Sequence, residues 1–179
     1  MTVEPTLGKP HKLFTIRDAR DDERQAIAEL TLRAYAEYAE IMEPGGWAGL
    51  EQAIHRALVS SEPAERLVAD DEGTLIGSVM LYPASVNAYG DATGTLGWPE
   101  VRLLAVPPEA RGRGVAGALM QACVLRAKAA GATAIGIHTS RSMQVAMAMY
   151  MRMGFVRAPE HDFQPPGAET VEGYRLSLV

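Results

Sequence analysis

Residues 110–119 read ARGRGVAGAL, and this stretch decides how the rest of the chain is interpreted. Gly112, Gly114 and Gly117 give the spacing G-x-G-x-x-G at the start of a helical pattern, and Arg111 and Arg113 flank the first glycine. The first amides of a helix have no partner within the helix and point toward an anion, and glycine lets that anion approach the backbone. The stretch therefore predicts a phosphate-binding loop, although the glycine spacing recurs by chance and does not identify the ligand.

Hydrophobic patterns on both sides of the loop alternate between strands and helices. They predict strands at 12–20, 65–70, 74–82, 100–106, 133–138, 154–158 and 172–179, and helices at 21–40, 50–59, 114–131 and 142–153. The EPGGW stretch at 43–47 is predicted to break the first helical region, and residues 83–98 to form a long connection. This order predicts a single α/β (mixed α+β) domain, with a mixed sheet of about seven strands and helices packed on its faces. We expect the domain to span residues 12–179 and residues 1–11 to form a loose N-terminal arm.

The composition is that of an ordinary globular protein and excludes several classes. Of the 179 residues, 47% are hydrophobic and 22% are charged, and the net charge of −5 argues against a nucleic-acid partner. The N-terminus lacks the apolar segment of a signal peptide, and no run is long enough to span a membrane, so we expect a cytoplasmic protein. The single Cys123 lies among apolar residues and is expected to be a buried thiol. No metal-binding constellation is visible.

Two features argue against a dinucleotide site at the glycine loop. The segment PPEAR at 107–111 separates the glycines from the preceding strand, and the next strand ends in IHTSR at 137–141, with no acidic residue for a ribose. Arg141 could instead hold the phosphate of NADP, so an NADP-dependent reductase stays an alternative. A glycine-rich turn that binds nothing is the other alternative.

A second pattern fits the same stretch and continues downstream. Arg111, Gly114 and Ala116 match [QR]-x-x-G-x-[GA]. Downstream, AMAMYMRMGFVR at 146–157 matches A-x-x-x-Y-x-x-x-G-F through Ala146, Tyr150, Gly154 and Phe155. The two motifs together resemble the coenzyme A loop and the following helix of the GNAT N-acetyltransferase superfamily. The order of the predicted elements agrees with that family from Lys12 to the C-terminus.

The resemblance implies how acetyl-CoA binds. The amides of the glycine loop would hold its pyrophosphate, the backbone of the strand at 100–106 would pair with its pantetheine arm, and the sheet would splay between that strand and the strand at 133–138. The implied binding residues are Leu104, Ala105, Val106, Arg111, Gly112, Arg113, Gly114, Val115, Ala116 and Gly117. Many members have an asparagine seven residues before the tyrosine, where this chain has Met143, and Ser140 or Ser142 are the candidates to replace that contact.

The resemblance also implies catalytic residues. Tyr150 would protonate the departing thiolate, since a phenol with a pKa near 10 is protonated at pH 7. The alternative is that Tyr150 is a structural residue of the core, because it lies on the same side of the predicted helix as Met143, Ala146 and Met147. The amide of Leu104 would meet the oxyanion.

Glu100 lies six residues before Val106, where it resembles the catalytic glutamate of histone acetyltransferases in this superfamily. Other members of the superfamily use a different base or a chain of water molecules, which leaves a water chain as an alternative to Glu100. Alternation places Glu100 and Arg102 on one strand face, so a plain ion pair that lowers the carboxyl pKa is the alternative. Three further residues, Tyr35, Trp47 and His138, are predicted to lie near the acceptor, and each is also compatible with a structural role.

The resemblance therefore implies an acetyl-CoA-dependent N-acetyltransferase that uses direct transfer to an amine, either a small molecule or a protein, in a ternary complex. Homodimers are common in the family. A noncatalytic acyl-CoA-binding module is the alternative from another functional class, since it would keep the loop without needing Tyr150 or Glu100.

Overall fold

A computed structural model describes residues 14–60 and 63–179. The strands are β1 (Thr15–Asp18), β2 (Glu65–Asp71), β3 (Thr74–Tyr82), β4 (Glu100–Ala105), β5 (Ala134–Thr139), β6 (Val156–Arg157) and β7 (Glu172–Ser177). The α-helices are α1 (Arg24–Tyr35), α2 (Tyr38–Ile41), α3 (Pro44–Val59), α4 (Val115–Ala129) and α5 (Gln144–Arg152). The arm expected at residues 1–11 lies outside the described residues.

The described strands form one seven-stranded sheet in the order β1-β2-β3-β4-β5-β7-β6. Each neighbouring pair is antiparallel except β4 and β5, which are parallel. A parallel pair needs a crossover connection, and α4 supplies it between these two strands. The prediction of a mixed α/β sheet of about seven strands is confirmed.

Helices cover both faces of the sheet. Helix α4 packs Leu119, Met120 and Cys123 against one face, where alternate residues of β2 and β3 also point. Helices α1 and α3 pack Ile27 and Ile54 against the other face. Burial raises the pKa of the Cys123 thiol to about 12, so this side chain behaves as a small apolar residue of the core.

The predicted helix break at EPGGW is wrong in its position. Helix α3 begins at Pro44, ahead of the Leu50 that the apolar pattern indicated. Proline is well suited to the first turn of a helix because its missing N–H has no partner there in any case. The chain is instead interrupted between α1 and α2 and again at Met42, whose backbone is extended.

A β-bulge in β4 changes which face its side chains point to. Ser78 pairs with Ala105 and Met80 pairs with Arg102, so Leu103 and Leu104 together lie opposite one residue of β3. Leu103 has a φ of 53°, which is rare for a residue with a side chain. A bulge of this kind bends its strand and re-aims the backbone, and here it does so at the point where β4 approaches β5.

Strands β4 and β5 pair over only two positions. Glu100 lies opposite Gly136 and Val101 lies opposite Ile137, and no further register is present between these strands. Beyond these positions the two strands separate, which confirms the predicted splay. The backbone of the bulge and the end of β5 therefore face a gap inside the sheet.

Gly136 is needed where the two strands are still paired. A Cβ built on Gly136 would overlap Glu100 Oε2 and Trp98 Nε1. Both atoms are buried, so neither has free space to move into.

We predict that Gly136→Ala lowers the free energy of unfolding by about 1–3 kcal/mol, the usual cost of overpacking a core. Gly49→Ala is the control, because a Cβ there meets nothing within 4 Å and the residue lies in α3. Urea denaturation measures both variants. Equal stability of the two alanine variants would contradict the close packing of Glu100 and Trp98 over β5.

Candidate active site

A cavity of about 1260 Å³ opens where β4 and β5 separate. Its walls come from the ends of α1, α2 and α3, the bulge of β4, the glycine loop, the end of β5, α5 and residues 163–171. The predicted site residues that line it are Tyr35, Leu104, Val106, Arg111, Gly112, Gly114, Val115, Ala116, Gly117, His138 and Tyr150. The tertiary structure therefore brings together residues that are far apart in the chain.

The glycine loop presents open backbone to this cavity. Gly112 and Gly114 have φ values of +75° and +80°, a conformation that glycine adopts without strain, and Gly114 is the N-cap of α4. A Cβ built on Gly112, Gly114 or Gly117 would meet nothing within 4 Å. The helix N-terminus is thus exposed to whatever enters the cavity, which is the geometry that binds phosphate.

The two arginines of the loop point to different places. Arg111 lines the cavity, and its guanidinium donates to both carboxylate oxygens of Glu37 at 2.7 and 3.0 Å and to the backbone oxygen of Val106 at 3.1 Å. Arg113 instead donates to Asp71 at 3.0 Å and lies over the ring of Phe14. Neither Arg113 nor Ala105 is among the cavity-lining residues, so the expected positive charge beside the loop comes from Arg111.

The end of β5 contributes hydroxyl groups to the cavity wall. The Thr139 and Ser140 hydroxyls are buried and have no hydrogen-bond partner among the described residues, and both residues line the cavity. The hydroxyl of Ser142, in contrast, donates to Glu169. Met143 also lines the cavity, so the hydroxyl nearest to its chain position that is still free to bind a ligand belongs to Ser140.

Tyr150 lies on α5 with 7% of its surface exposed, and its ring contacts Phe155. Burial raises the pKa of its phenol above the ordinary value, so the hydroxyl keeps its proton throughout the neutral range. No residue in the described part of the chain forms a hydrogen bond with that hydroxyl, and the side chain lines the cavity. Tyr150 therefore has a core position and an available proton at the same time.

Glu100 and His138 form a buried pair that bridges β4 and β5. Glu100 Oε1 lies 2.6 Å from His138 Nδ1, and each side chain is 2% exposed. His138 Nε2 donates to the backbone oxygen of His161 at 2.9 Å. Burial raises the pKa of the Glu100 carboxyl, and the hydrogen bonds from His138 and Tyr89 oppose that rise.

The alternative of a plain ion pair between Glu100 and Arg102 is not what the structure shows. Arg102 donates to the backbone oxygen of Ala88, and its guanidinium carbon lies 4.3 Å from the centre of the Tyr89 ring. Only one oxygen of the Glu100 carboxylate, Oε1, is hydrogen-bonded to a described residue, and its partners are His138 and Tyr89. The expectation of a lowered carboxyl pKa is therefore wrong, because desolvation is the largest influence on Glu100.

Of the two aromatic residues predicted near the acceptor, Tyr35 lines the cavity and Trp47 does not. Tyr35 lines the cavity, and its hydroxyl donates to the backbone oxygen of Leu104 at 3.2 Å. Tyr38 lines it too, with its ring centre 5.7 Å from that of Tyr35. Trp47 lies half-buried on α3 and is not among the lining residues.

Sequence reasoning did not find Tyr89. This residue lies in the connection 83–98, which has no periodic pattern that would place a side chain. Its hydroxyl donates to Glu100 Oε1 at 3.3 Å, and the residue lines the cavity. Only the packing of the connection against β4 and β5 reveals this contact.

Two kinds of feature are absent from the described part of the chain. Within residues 14–60 and 63–179, no group of three or more His, Cys, Asp or Glu side chains is arranged to hold a metal ion. No helix in the same ranges combines the length and apolar character needed to cross a membrane.

Comparison with known proteins places these features in a family. The model of the family described as "Acetyltransferase (GNAT) family" matches residues 20–155. A mycothiol acetyltransferase of Thermobispora bispora is 29% identical over 154 residues, which cover 86% of this chain and 49% of the relative. Another, from Geodermatophilus obscurus, is 28% identical over 156 residues, which cover 86% of this chain and 48% of the relative. The chain thus spans about half the length of the curated relatives it matches.

Solved structures share the fold. A GNAT-family acetyltransferase from Staphylococcus aureus Mu50 superposes with a TM-score of 0.70 at 12% identity, covering 93% of this chain and 100% of that one. A GNAT-family acetyltransferase from Brucella melitensis, crystallised in complex with acetyl-CoA, superposes with a TM-score of 0.61 at 19% identity. The superposition covers 90% of this chain and 96% of that one.

The free hydroxyl at the end of β5 yields a test of ligand placement. We predict that Ser140→Ala weakens acetyl-CoA binding by about 3–10-fold, the value of one hydrogen bond of 0.5–1.5 kcal/mol. Ser142→Ala is the matched control and should leave the affinity unchanged, because the Ser142 hydroxyl is already bonded to Glu169. Isothermal titration calorimetry measures both variants. An equal effect of the two substitutions would show that Ser140 has no contact with the ligand.

Proposed function

The chain belongs to the GNAT acetyltransferase family, and from this premise we propose that it transfers an acetyl group from acetyl-CoA directly to an amine in a ternary complex. The observation that carries the proposal is that one cavity is lined by the glycine loop, by Tyr150 and by the Tyr89 and His138 side chains. A binding loop for phosphate and three side chains that could hold or move a proton therefore share one space. A noncatalytic binding module has no need of this arrangement.

The residues present fit acetyl-CoA. The amides at the start of α4 would receive the pyrophosphate, with Arg111 beside them. The buried and unpartnered hydroxyls of Thr139 and Ser140 would donate hydrogen bonds to the arm of the ligand that enters the splay. The backbone of Leu104, near the end of β4, and of Val106, just after it, would pair with the same arm, because neither residue pairs with β5.

Acetyl transfer requires a free amine, a stabilised oxyanion and a proton for the departing thiolate. Tyr150 would supply that proton, since its buried phenol is protonated near neutral pH and a thiol has an ordinary pKa of about 8.5. The amide of Leu104, re-aimed by the bulge, is the proposed donor to the oxyanion. Glu100 is the proposed final acceptor of the proton that the amine loses.

The acceptor is proposed to be a small amine. Tyr38, Tyr89 and Phe163 give the cavity an aromatic wall, and Glu43 and Glu169 add carboxylates that suit a cationic group. The curated relatives are named for mycothiol, and this chain matches only about half of their length. An acceptor panel should therefore include a mycothiol-type acceptor along with amino acids, polyamines and peptide amines.

The proposal is tested first by binding and turnover of the wild-type protein. We expect calorimetry to detect acetyl-CoA but not NADPH, and thiol release to accompany at least one amine of the panel. We further predict that Gly117→Val weakens acetyl-CoA binding at least about tenfold without lowering thermal stability. Its backbone is helical and its Cβ would enter open space, so the substitution blocks the ligand without straining the fold.

Gly49→Val is the control for this substitution, because Gly49 is also helical, also lines the cavity and lies on the opposite wall in α3. It should leave acetyl-CoA affinity unchanged. NADPH binding in place of acetyl-CoA would replace the proposal with a reductase, and tight acetyl-CoA binding without thiol release for any amine would favour a binding module.

Tyr150→Phe tests the chemical role of the phenol. We expect kcat to fall about 10²-fold, the usual effect of a lost general acid, while acetyl-CoA affinity stays unchanged. Tyr174→Phe is the matched control. Tyr174 is buried, and its hydroxyl donates a hydrogen bond of 2.9 Å to Glu172; neither residue lines the cavity. Stopped assays measure the rate of thiol release by the Tyr150→Phe and Tyr174→Phe variants. A fully active Tyr150→Phe enzyme would return Tyr150 to a purely structural role.

A further inference from the structure

The buried carboxylate of Glu100 does not reach the cavity directly. Glu100 is 1% exposed and is not among the cavity-lining residues. Its Oε2 packs against Gly136 and Trp98 with no hydrogen-bond partner in the described part of the chain. Its Oε1 is occupied by His138 at 2.6 Å and by the Tyr89 hydroxyl at 3.3 Å. A substrate amine therefore has no open path to either oxygen.

His138 lines the cavity, but both of its ring nitrogens are engaged. A backbone carbonyl can only accept, so Nε2 must carry a proton to bond the oxygen of His161. Nδ1 and Glu100 Oε1 are 2.6 Å apart and must therefore hold one further proton between them. Neither nitrogen has a free lone pair for a substrate.

Tyr89 is the member of this group with an open acceptor site. Its hydroxyl uses its hydrogen toward Glu100 Oε1, which leaves the lone pairs of its oxygen unused among the described contacts. The ring is held from several sides, since the centres of His138 and Phe163 lie 4.6 and 5.2 Å away. The Arg102 guanidinium covers its face, and its backbone amide donates to the Asn87 side chain at 3.2 Å. The oxygen is therefore held in place at the cavity wall.

We propose that Tyr89 is a catalytic proton relay, which takes a proton from the acceptor amine while it passes its own hydroxyl proton to Glu100. The inference rests on the acetyltransferase function proposed above. His138 acts as a positioning residue that holds the Glu100 carboxylate toward Tyr89.

The protons balance in this relay. As the new C–N bond forms, the amine N–H bond breaks and its proton moves to the Tyr89 oxygen. The Tyr89 O–H bond breaks in the same step, and its proton moves to Glu100 Oε1, so Tyr89 ends unchanged. The C–S bond of the thioester then breaks, and the Tyr150 proton goes to the departing thiolate. Solvent afterwards returns a proton to Tyr150 and removes one from Glu100 through Tyr89. Tyr89 never needs to exist as a phenolate, which agrees with a phenol pKa held well above its ordinary value by burial and by Glu100.

Tyr89→Phe tests the relay because it keeps the ring and its contacts and removes only the hydroxyl. We expect kcat to fall about 10²-fold with the KM for acetyl-CoA unchanged, as for the loss of a general base. Tyr174→Phe again serves as the control for the loss of a hydroxyl bonded to a buried glutamate and should keep full activity. Full activity of Tyr89→Phe alongside an active wild type would overturn the relay.

The pH dependence separates a relay from a packing role. The groups facing Glu100 are Tyr89 from the connection, Arg102 on its own strand, His138 from β5 and Tyr150 from α5. Below the pKa of the Glu100 carboxyl, which burial raises, that carboxyl is already protonated and Oε1 can no longer receive a proton. The wild-type kcat/KM should therefore fall with acid through two ionisations, that of the amine and that of the Glu100 carboxyl, whereas kcat/KM of Tyr89→Phe should fall through the ionisation of the amine alone. Identical profiles would contradict the relay.

A double-mutant cycle gives an independent comparison. If the two residues act in one path, Tyr89→Phe combined with Glu100→Gln should be no slower than the slower single variant. Multiplying effects would mean that the two residues act separately and would overturn the proposal. Should Glu100→Gln fail to fold, the pH profile of Tyr89→Phe decides the question. An inactive wild type would instead refute the acetyltransferase function itself.

Discussion

The separation of β4 from β5 is the constraint on which the whole site depends. Parallel strands in one sheet normally satisfy each other's backbone groups along their length, and here the register ends after Val101 and Ile137. The bulge at Leu103 and Leu104 accompanies that separation and turns backbone groups away from the regular ladder. The cavity, the free hydroxyls at the end of β5 and the exposed N-terminus of α4 all border the resulting gap. A continuous sheet at this point would leave no room for a ligand.

The Glu100–His138 contact spans β4 and β5 where they are still close: Glu100 lies opposite Gly136, and His138 follows Ile137, the last paired residue of β5. Burying a carboxylate is costly unless it is hydrogen-bonded, and Oε1 receives two partners for that reason. The small size of Gly136 lets Glu100 and Trp98 pack across β5. The Glu100–His138 pair therefore links β4 and β5 at the base of the gap. The proton that Glu100 and His138 share is held next to the cavity.

Binding and chemistry are supported by different kinds of structure. The glycine loop offers backbone groups, whose positions are set by the positive φ values of Gly112 and Gly114 and by the start of α4. The residues proposed to hold or move protons are side chains from α5, β4, β5 and the connection 83–98, and only packing sets their relative positions. This difference explains why the sequence predicts the loop but does not predict the contacts of the proposed relay.

Local patterns in the sequence were sufficient for the order of strands and helices, the position of the glycine loop and the placing of Tyr150 on α5. They were sufficient because hydrophobic period, glycine conformation and helix N-termini are properties of neighbouring residues. The start of α3 at Pro44 was missed because proline and paired glycines also signal a break, and helix packing decided otherwise. Tertiary structure alone placed Arg113 on Asp71, left Trp47 outside the cavity and joined Tyr89, Glu100 and His138. These contacts link residues from separate elements, and a side chain's partner across such a distance follows from the packing of the sheet and its helices, which no local pattern encodes.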